Sequence, residues 1–250
     1  VSRGGVGYFT DGLARALMAR GHHVTVFSQD PPPAGAPYQV NRVAVRADRW
    51  APIRFPFALR RCDFSRFDVI HAQGDDQWLP RRGRPPVVRT MHGTSLAEAW
   101  FNGVVGGSPQ RLLMHLWFYV SEWIAALRAT VLVAVSAETR ARVEAAGVPA
   151  SRIVVIHNAI VAKNYRAEDF TPGAFRAQIG VAADAIVIGN IGRLSPEKGQ
   201  RDFLLGVAPI ARQDARVHLV FAGHGPDALA LQGLVDDLGL TGRVTFAGHM

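Results

Sequence analysis

Amphipathic segments and short apolar runs alternate from the start of the chain. Phe9, Leu13 and Leu17 recur at helical spacing, and Gly21 suits the position just after a helix. The β-rich run at 24–28 follows directly. This order predicts a helix and then a strand.

More compact apolar runs follow, bounded by turns or by helical patterns. A buried parallel strand is apolar on both faces, so each such run is a predicted strand. These runs are 69–73, 87–91, 131–135 and 153–157, with a short strand also expected at 43–45 after a Pro-rich loop at 31–37.

The alternation restarts after a polar, turn-rich stretch at 158–185. Strands are predicted at 186–191, 217–222 and from 244, with a helix between each pair, the first of them interrupted by Pro209. Strands alternating with helices indicate a doubly wound α/β architecture. The predicted domains are 1–165, without its first strand, and an incomplete 186–250, joined by a linker at 166–185.

The most apolar stretch runs from 112 to 135 and contains His115, Glu122 and Arg128. Charges in the middle of a membrane-spanning helix are rare. The stretch is therefore predicted to be a buried amphipathic helix followed by a strand, rather than a membrane span.

Composition supports a folded protein, with 48% hydrophobic residues. The single cysteine, Cys62, excludes an intrachain disulfide and fits a reducing compartment, and no signal peptide is visible. Residues 1–160 hold 19 Arg and no Lys against 11 acidic residues, so the whole net charge of +8 lies there. Such a surface attracts anionic membranes or nucleic acid; the alternative is a solvated face from general use of arginine.

Four loops carry candidate chemistry. The glycines of Gly4-Gly5-Val6-Gly7 precede a helix, and their backbone N–H groups could approach a diphosphate. Arg193 and Lys198 lie directly after the strand 186–191, at the end of a parallel strand where such folds bind ligands. Lys198 is one of only two lysines in the chain. Both cations can hold phosphate oxygens.

The other two loops also follow predicted strands. Gly223, Gly225 and Pro226 form a turn after 217–222 that could approach a nucleotide or sugar. His92 follows 87–91, where its imidazole could donate to a sugar hydroxyl. His71 also ends a predicted strand, which illustrates how such a histidine can be merely structural.

Taken together, these segments resemble family 4 glycosyltransferases in type, order and rough spacing. The matching segments are Gly4-Gly5-Val6, Arg20-Gly21-His22-His23-Val24-Thr25-Val26, Phe67-Asp68-Val69-Ile70-His71-Ala72, Met91-His92-Gly93-Thr94, Val135-Ser136-Ala137-Glu138-Thr139, Val155-Ile156-His157-Asn158, Gly192-Arg193-Leu194-Ser195-Pro196-Glu197-Lys198-Gly199 and Gly223-His224-Gly225-Pro226.

The resemblance implies a GT-B fold, two Rossmann-like domains facing across a cleft. It also implies a retaining sugar transfer from a nucleotide-sugar without a metal or other cofactor. By position, Arg193 and Lys198 match the pair that neutralises the donor diphosphate. Gly5, beside Gly4, matches the glycine loop at that diphosphate, and His92 matches a histidine near the transferred sugar.

The chain also departs from the family pattern. No strand precedes Gly4, the linker reads Asn158-Ala159-Ile160-Val161, and no two glutamates are eight positions apart. We therefore expect a protein cut at both ends, with little activity in this fragment alone.

The expected acceptor is a glycan or a lipid-linked molecule of the cell envelope, and no nucleic acid. The expected location is the cytoplasm, with peripheral contact to an anionic membrane. Two alternatives remain. One is a non-catalytic protein of the same fold that binds a nucleotide-sugar or a partner. The other is a nicotinamide-dependent oxidoreductase, which would need glycine where Thr10 stands.

Overall fold

The computed structural model describes residues 5–48, 50–80, 82–93 and 109–248. The chain separates into two compact units, and the main change from the first to the second falls between Ala162 and Lys163. The expected domain limits of 1–165 and 186–250, with a linker between them, stay a prediction.

The first unit alternates helices with short parallel strands. The elements are α1 (Gly5–Ala19), β1 (Thr25–Ser28), β2 (Gln39–Arg42), α2 (Ala51–Leu59), β3 (Ile70–Ala72), β4 (Val87–Met91), α3 (Pro109–Arg128), β5 (Val131–Ala134), α4 (Ala137–Ala145) and β6 (Ile153–Val155), with a 3₁₀ turn at Ala150–Arg152. Strands β3-β4-β5-β6 form one parallel sheet in that order, and β1 and β2 pair separately, also in parallel.

Local sequence explains several of these boundaries. Helix α4 begins after Ser136, whose Oγ accepts a hydrogen bond from the Thr139 backbone N–H and so satisfies one free donor of the first turn. Within the central strands, Val87 of β4 and Leu132 of β5 are almost fully buried in the core beneath α3 and α4.

The second unit has the same alternation around a three-stranded parallel sheet in the order β7-β8-β9. Its elements are 3₁₀ turns at Ala162–Tyr165 and Ala167–Asp169, α5 (Ala174–Gln178), β7 (Ile186–Ile191), a 3₁₀ turn at Pro196–Lys198, α6 (Gln200–Gln213), β8 (Val217–Ala222), α7 (Ala228–Asp237) and β9 (Val244–Gly248). Leu204, Leu219 and Phe221 are fully buried between this sheet and its helices.

Several sequence predictions are confirmed, and two are wrong. Strands β7 and β8 have the predicted limits. The short strand expected at 43–45 lies instead at 39–42, because Val43 and Val45 pack against the cluster around Phe64. Pro209 does not interrupt α6. It lies on an exposed face, where water can reach the helical carbonyl that proline leaves without a partner.

The predicted helix and strand of the apolar stretch 112–135 are confirmed as α3 and β5, but α3 is only partly buried. Apolar side chains surround most of its circumference, and the sheet covers only one side, so the remaining apolar side chains face solvent. None of the described helices has the length and hydropathy required to cross a bilayer.

Candidate functional site

The loops that follow β7 and β8 meet at one edge of the sheet in the second unit. The Leu194 N–H donates to the His224 carbonyl over 3.0 Å, and the Asp227 N–H donates to the Leu194 carbonyl over 3.2 Å. Both strands end here because parallel strands place their carboxyl ends on the same side. The predicted site residues of this unit therefore converge in one place.

Two glycines allow this close contact. A Cβ on Gly223 would overlap the Gly192 carbonyl oxygen, and one on Gly225 would overlap the Leu194 carbonyl oxygen. Gly223 also has a φ of +144°, which residues with a side chain rarely adopt. Gly223 and Gly225 are thus required by the packing of the two loops, whatever else the turn binds. Pro226 is exposed in the same turn.

Arg193 and Lys198 are exposed on the loop between β7 and α6. Both act on the carboxyl group of Glu197. Its burial would raise the pKa, but the hydrogen bond from Ser195 Oγ, at 2.6 Å, and the charges of Arg193 and Lys198 outweigh burial and lower the pKa. The two cations therefore lie within electrostatic reach of one carboxylate.

Gln200 fixes the backbone of this loop, and the sequence analysis did not identify it. Its buried side chain donates from Nε2 to the Arg193 carbonyl over 2.9 Å. Gly199, with a φ of +67°, ends the 3₁₀ turn that contains Lys198, and α6 begins at the next residue. The free N–H groups at a helix N-terminus favour anions. The sequence feature that could have identified Gln200 is a glutamine at the first position of a helix, directly after a glycine.

In the first unit, His92 follows β4 beside the loop that follows β3. Its Nε2 lies 2.7 Å from Gln73 Oε1. The Phe9 ring, one turn into α1, packs edge-on against the imidazole with 4.9 Å between ring centroids. The start of α1, where Gly5 lies, is therefore close to His92. A Cβ on Gly5 would meet no atom within 4 Å. Gly4 lies outside the described residues.

A buried ion pair lies next to His92. Arg89, in the middle of β4, donates to Asp76, and both side chains are about 95% buried. Burial lowers the pKa of Arg89, and the charges of Glu122 and Asp75 oppose this. A buried cation is tolerated when it is paired and hydrogen-bonded. The sequence contains a feature that could have predicted this pair. An arginine interrupts the apolar run Val87–Met91, and Asp75-Asp76 follows the preceding strand.

Burial and the Arg89 charge both lower the pKa of His92, so the imidazole is neutral near pH 7. The pKa of His71 is also lowered, by burial and then by His92, and its Nε2 lies 2.8 Å from Thr90 Oγ1. Burial of the Asp75 carboxyl group raises its pKa to about 6 although the residue as a whole is exposed, and Arg89 opposes the rise. These groups form one polar cluster at the carboxyl edge of β3 and β4.

Within the described part of the chain, no three His, Cys, Asp or Glu side chains are grouped so that they could bind a metal ion. The site residues predicted from the sequence instead form two groups, one in each unit. His92 and Gly5 belong to the first group, and Arg193, Lys198 and the two loop glycines belong to the second.

Each unit has a parallel sheet with polar loops at the carboxyl ends of its strands, which defines the doubly wound class of α/β protein, where ligands bind at those ends. Residues 3–163 match the sequence model of Glycosyltransferase Family 4, and residues 173–250 match that of Glycosyl transferases group 1. The first match covers more than half of the chain. The protein belongs to Glycosyltransferase Family 4.

A solved structure confirms the GT-B fold. The Anabaena protein Alr3699/HepE, in complex with UDP and glucose, superposes with a TM-score of 0.72 at 20% identity, covering 100% of this chain and 67% of that chain.

Two curated relatives have named activities. The D-inositol 3-phosphate glycosyltransferase of Nocardia farcinica is 29% identical over 199 residues, 72% of this chain and 41% of the relative. The phosphatidylinositol N-acetylglucosaminyltransferase GPI3 subunit of Saccharomyces cerevisiae is 36% identical over 99 residues, 39% of this chain and 21% of the relative. The chain thus matches less than half the length of either relative.

Proposed function

We propose that the full-length protein transfers a hexose from a nucleotide-sugar to a glycan or lipid-linked acceptor, with retention of the anomeric configuration. The observation that carries this proposal is the position of Arg193 and Lys198 beside the N-terminus of α6, where the loops after β7 and β8 meet. In that position the two cations and the helix N-terminus all attract a diphosphate.

The chemistry follows from the charge that develops during the reaction. As the bond from the sugar to the diphosphate breaks, negative charge grows on the leaving group. Arg193 and Lys198 stabilise that charge more in the transition state than in the ground state, which lowers the barrier. Because these side chains supply the neutralising charge, we expect activity without a divalent metal.

In the first unit, His92 contributes a neutral imidazole at the carboxyl end of β4. In the proposed reaction it hydrogen-bonds the transferred sugar. Because a Cβ on Gly5 would meet open space, a phosphate group can approach the start of α1 closely. The turn formed by Gly223, Gly225 and Pro226 provides backbone groups for the nucleotide or sugar.

The acceptor side of the proposal includes a lipid. It is supported by the positive charge of residues 1–160 and by the yeast relative, whose name specifies phosphatidylinositol. In this proposal the protein acts in the cytoplasm, at the inner face of the membrane.

The test is donor binding and turnover by the full-length protein. We expect Lys198→Ala and Arg193→Ala each to lower kcat by about 10²–10³-fold, as removal of one group that stabilises transition-state charge does. Their unfolding temperatures should stay unchanged because both side chains are exposed. Calorimetric titration with UDP and a transfer assay with and without EDTA measure binding, turnover and metal dependence.

Arg216→Ala is the matched control. Arg216 precedes β8, at the opposite end of the sheet, and pairs only with Asp214 among the interactions described. Its loss should leave turnover unchanged. Wild-type turnover in Lys198→Ala would remove Lys198 from the mechanism. Donor binding without transfer or hydrolysis would select the non-catalytic alternative.

A further inference from the structure

Helix α3 exposes a continuous apolar face. Among the side chains of α3 that the structure describes, the large exposed ones are all hydrophobic, and they follow one another at intervals of three, one, three, three and four residues: Leu113, Leu116, Trp117, Val120, Trp123 and Leu127. They fall within one third of the helix circumference and extend about 21 Å at 1.5 Å per residue. Glu122, the acidic residue of the helix, lies on the opposite side. Exposed apolar surface of this extent marks an interaction site.

The apolar face of α3 continues onto its neighbours on both sides. Trp117 stacks on Trp78 with 6.2 Å between ring centroids, and Trp78 stacks on Phe57 of α2 at 5.3 Å. On the other side, a groove of about 410 Å³ lies between Trp123 and the segment Ala145–Gly147 at the end of α4. The apolar surface therefore extends across three elements of the first unit.

Three arginines follow Phe57 or Trp78 closely along the chain. Arg60 and Arg61 follow α2 directly, and Arg82 lies four residues after Trp78. All three are exposed, and no carboxylate of the described residues pairs with them. Unpaired arginines beside exposed aromatic rings are complementary to a negatively charged apolar surface. Two copies of this unit would repel each other, because residues 1–160 carry a net charge of +8.

We propose that the apolar face of α3, with the row of rings from Phe57 to Trp117, docks on the surface of an anionic lipid bilayer. The helix lies in the plane of the interface with Leu113, Val120 and Trp123 inserted among the acyl chains, while Arg60, Arg61 and Arg82 contact the lipid phosphates. Trp117 lies at the level of the headgroups, where amphipathic indole rings are most stable.

This inference deepens the lipid side of the proposed function, on which it rests. Vesicle binding can be measured without donor or acceptor, so the two proposals can fail separately. Loss of transfer with intact vesicle binding would count against the proposed reaction alone. Intact transfer to a water-soluble acceptor without vesicle binding would count against the docking surface alone.

The experiment is co-sedimentation of the full-length protein with phosphatidylcholine vesicles that contain or lack phosphatidylglycerol. We expect binding to the anionic vesicles that weakens as salt rises. Leu113→Glu combined with Val120→Glu should lower the partition coefficient at least about tenfold, since charges replace inserted apolar groups. Each arginine changed to glutamine at 60, 61 or 82 should lower it by about fivefold.

Two controls separate docking from general effects. Leu229→Glu changes an equally exposed leucine, 81% accessible, on α7 of the second unit and should leave vesicle binding unchanged. Circular dichroism and thermal unfolding establish that each variant folds. Because the affected side chains on α3 are exposed, we expect normal folding.

Two outcomes would overturn the proposal. One is equal binding by wild type and by the Leu113→Glu, Val120→Glu variant. The other is a wild-type dimer in sedimentation analysis, without lipid, that the same two substitutions dissociate, because this result would assign the apolar face to a second copy of the chain. A blue shift of tryptophan fluorescence on anionic vesicles, reduced by Trp123→Phe, supports the proposal directly.

Discussion

At the scale of single residues, both candidate groups depend on side chains that hold other side chains in place. Gln200 binds the carbonyl of Arg193, and Gln73 lies 2.7 Å from His92 Nε2. Neither glutamine is ionisable, so neither adds a charge to its group. In the first unit this arrangement leaves the charge of His92 to be set by burial and by Arg89.

We predict that Gln73→Glu raises the pKa of His92. In the wild type the pKa lies below the usual 6.5, and a carboxylate at hydrogen-bond distance favours the imidazolium, by about one pH unit or more. The titration of the His92 ring resonances by NMR measures the change. Gln39→Glu, at an exposed position on β2, is the control. An unchanged midpoint in Gln73→Glu would contradict the contact.

The lowered pKa of His92 also makes the free energy of unfolding depend on pH. The fold favours neutral His92, so its contribution to the free energy of unfolding is fully present above about pH 6.5. The contribution is lost as pH falls through the folded-state pKa. The rise in the pKa of Asp75, to about 6, acts in the opposite direction, because the fold favours its protonated form. Ring titrations of single histidines therefore give a cleaner measurement than the pH dependence of total stability.

At the scale of elements, the loops after β7 and β8 form the candidate diphosphate site only because two backbones approach each other without side chains between them. Gly225 contacts the Leu194 carbonyl and Gly223 contacts the Gly192 carbonyl. A change at these glycines would alter the loop that contains Arg193 and Lys198 without touching either charge.

We predict that Gly225→Ala lowers the free energy of unfolding by about 2 kcal/mol or more, since its Cβ would overlap the Leu194 carbonyl oxygen. Chemical denaturation measures the loss. The matched control is Gly233→Ala in α7, where a Cβ has open space. That variant should gain about 0.5–1 kcal/mol, because alanine favours helix. Equal stabilities for the two variants would contradict the loop packing.

At the scale of the whole molecule, the chain has separate cores for its two units. Leu132 is buried in the core of the first unit, and Leu219 in that of the second. The charges are also divided, because residues 161–250 hold nine basic and nine acidic groups while the excess positive charge lies before them. The candidate membrane surface and the candidate diphosphate loop therefore belong to different units.

We predict that Leu132→Ala and Leu219→Ala each cost about 2–5 kcal/mol of stability in their own unit, from lost burial and a residual cavity. Hydrogen exchange followed by mass spectrometry locates the effect. Protection should fall mainly in the first unit for Leu132→Ala and mainly in residues 163–248 for Leu219→Ala. The two variants serve as controls for each other, and equal loss of protection in both units would refute separate cores.

Local pattern was enough to predict much of the fold. The rule that short apolar runs mark parallel strands located β7 and β8 to the residue, although β8 is buried and β7 is partly exposed. The same rule placed Arg193, Lys198 and His92 directly after strands. The rule failed for β2. Val43 and Val45 are apolar because they pack against the Phe64 cluster, and they do not pair in a strand.

By itself the sequence determined the alternation of helices and strands, the family, and which loops carry charged and glycine residues, since each of these depends on neighbours along the chain. Only the tertiary structure decided that Gly225 lies against Leu194, that Gln73 reaches His92, and which face of α3 remains uncovered. These contacts join residues far apart in the chain. They are set by how strands align and which surfaces pack together, and periodicity within one segment does not encode that information.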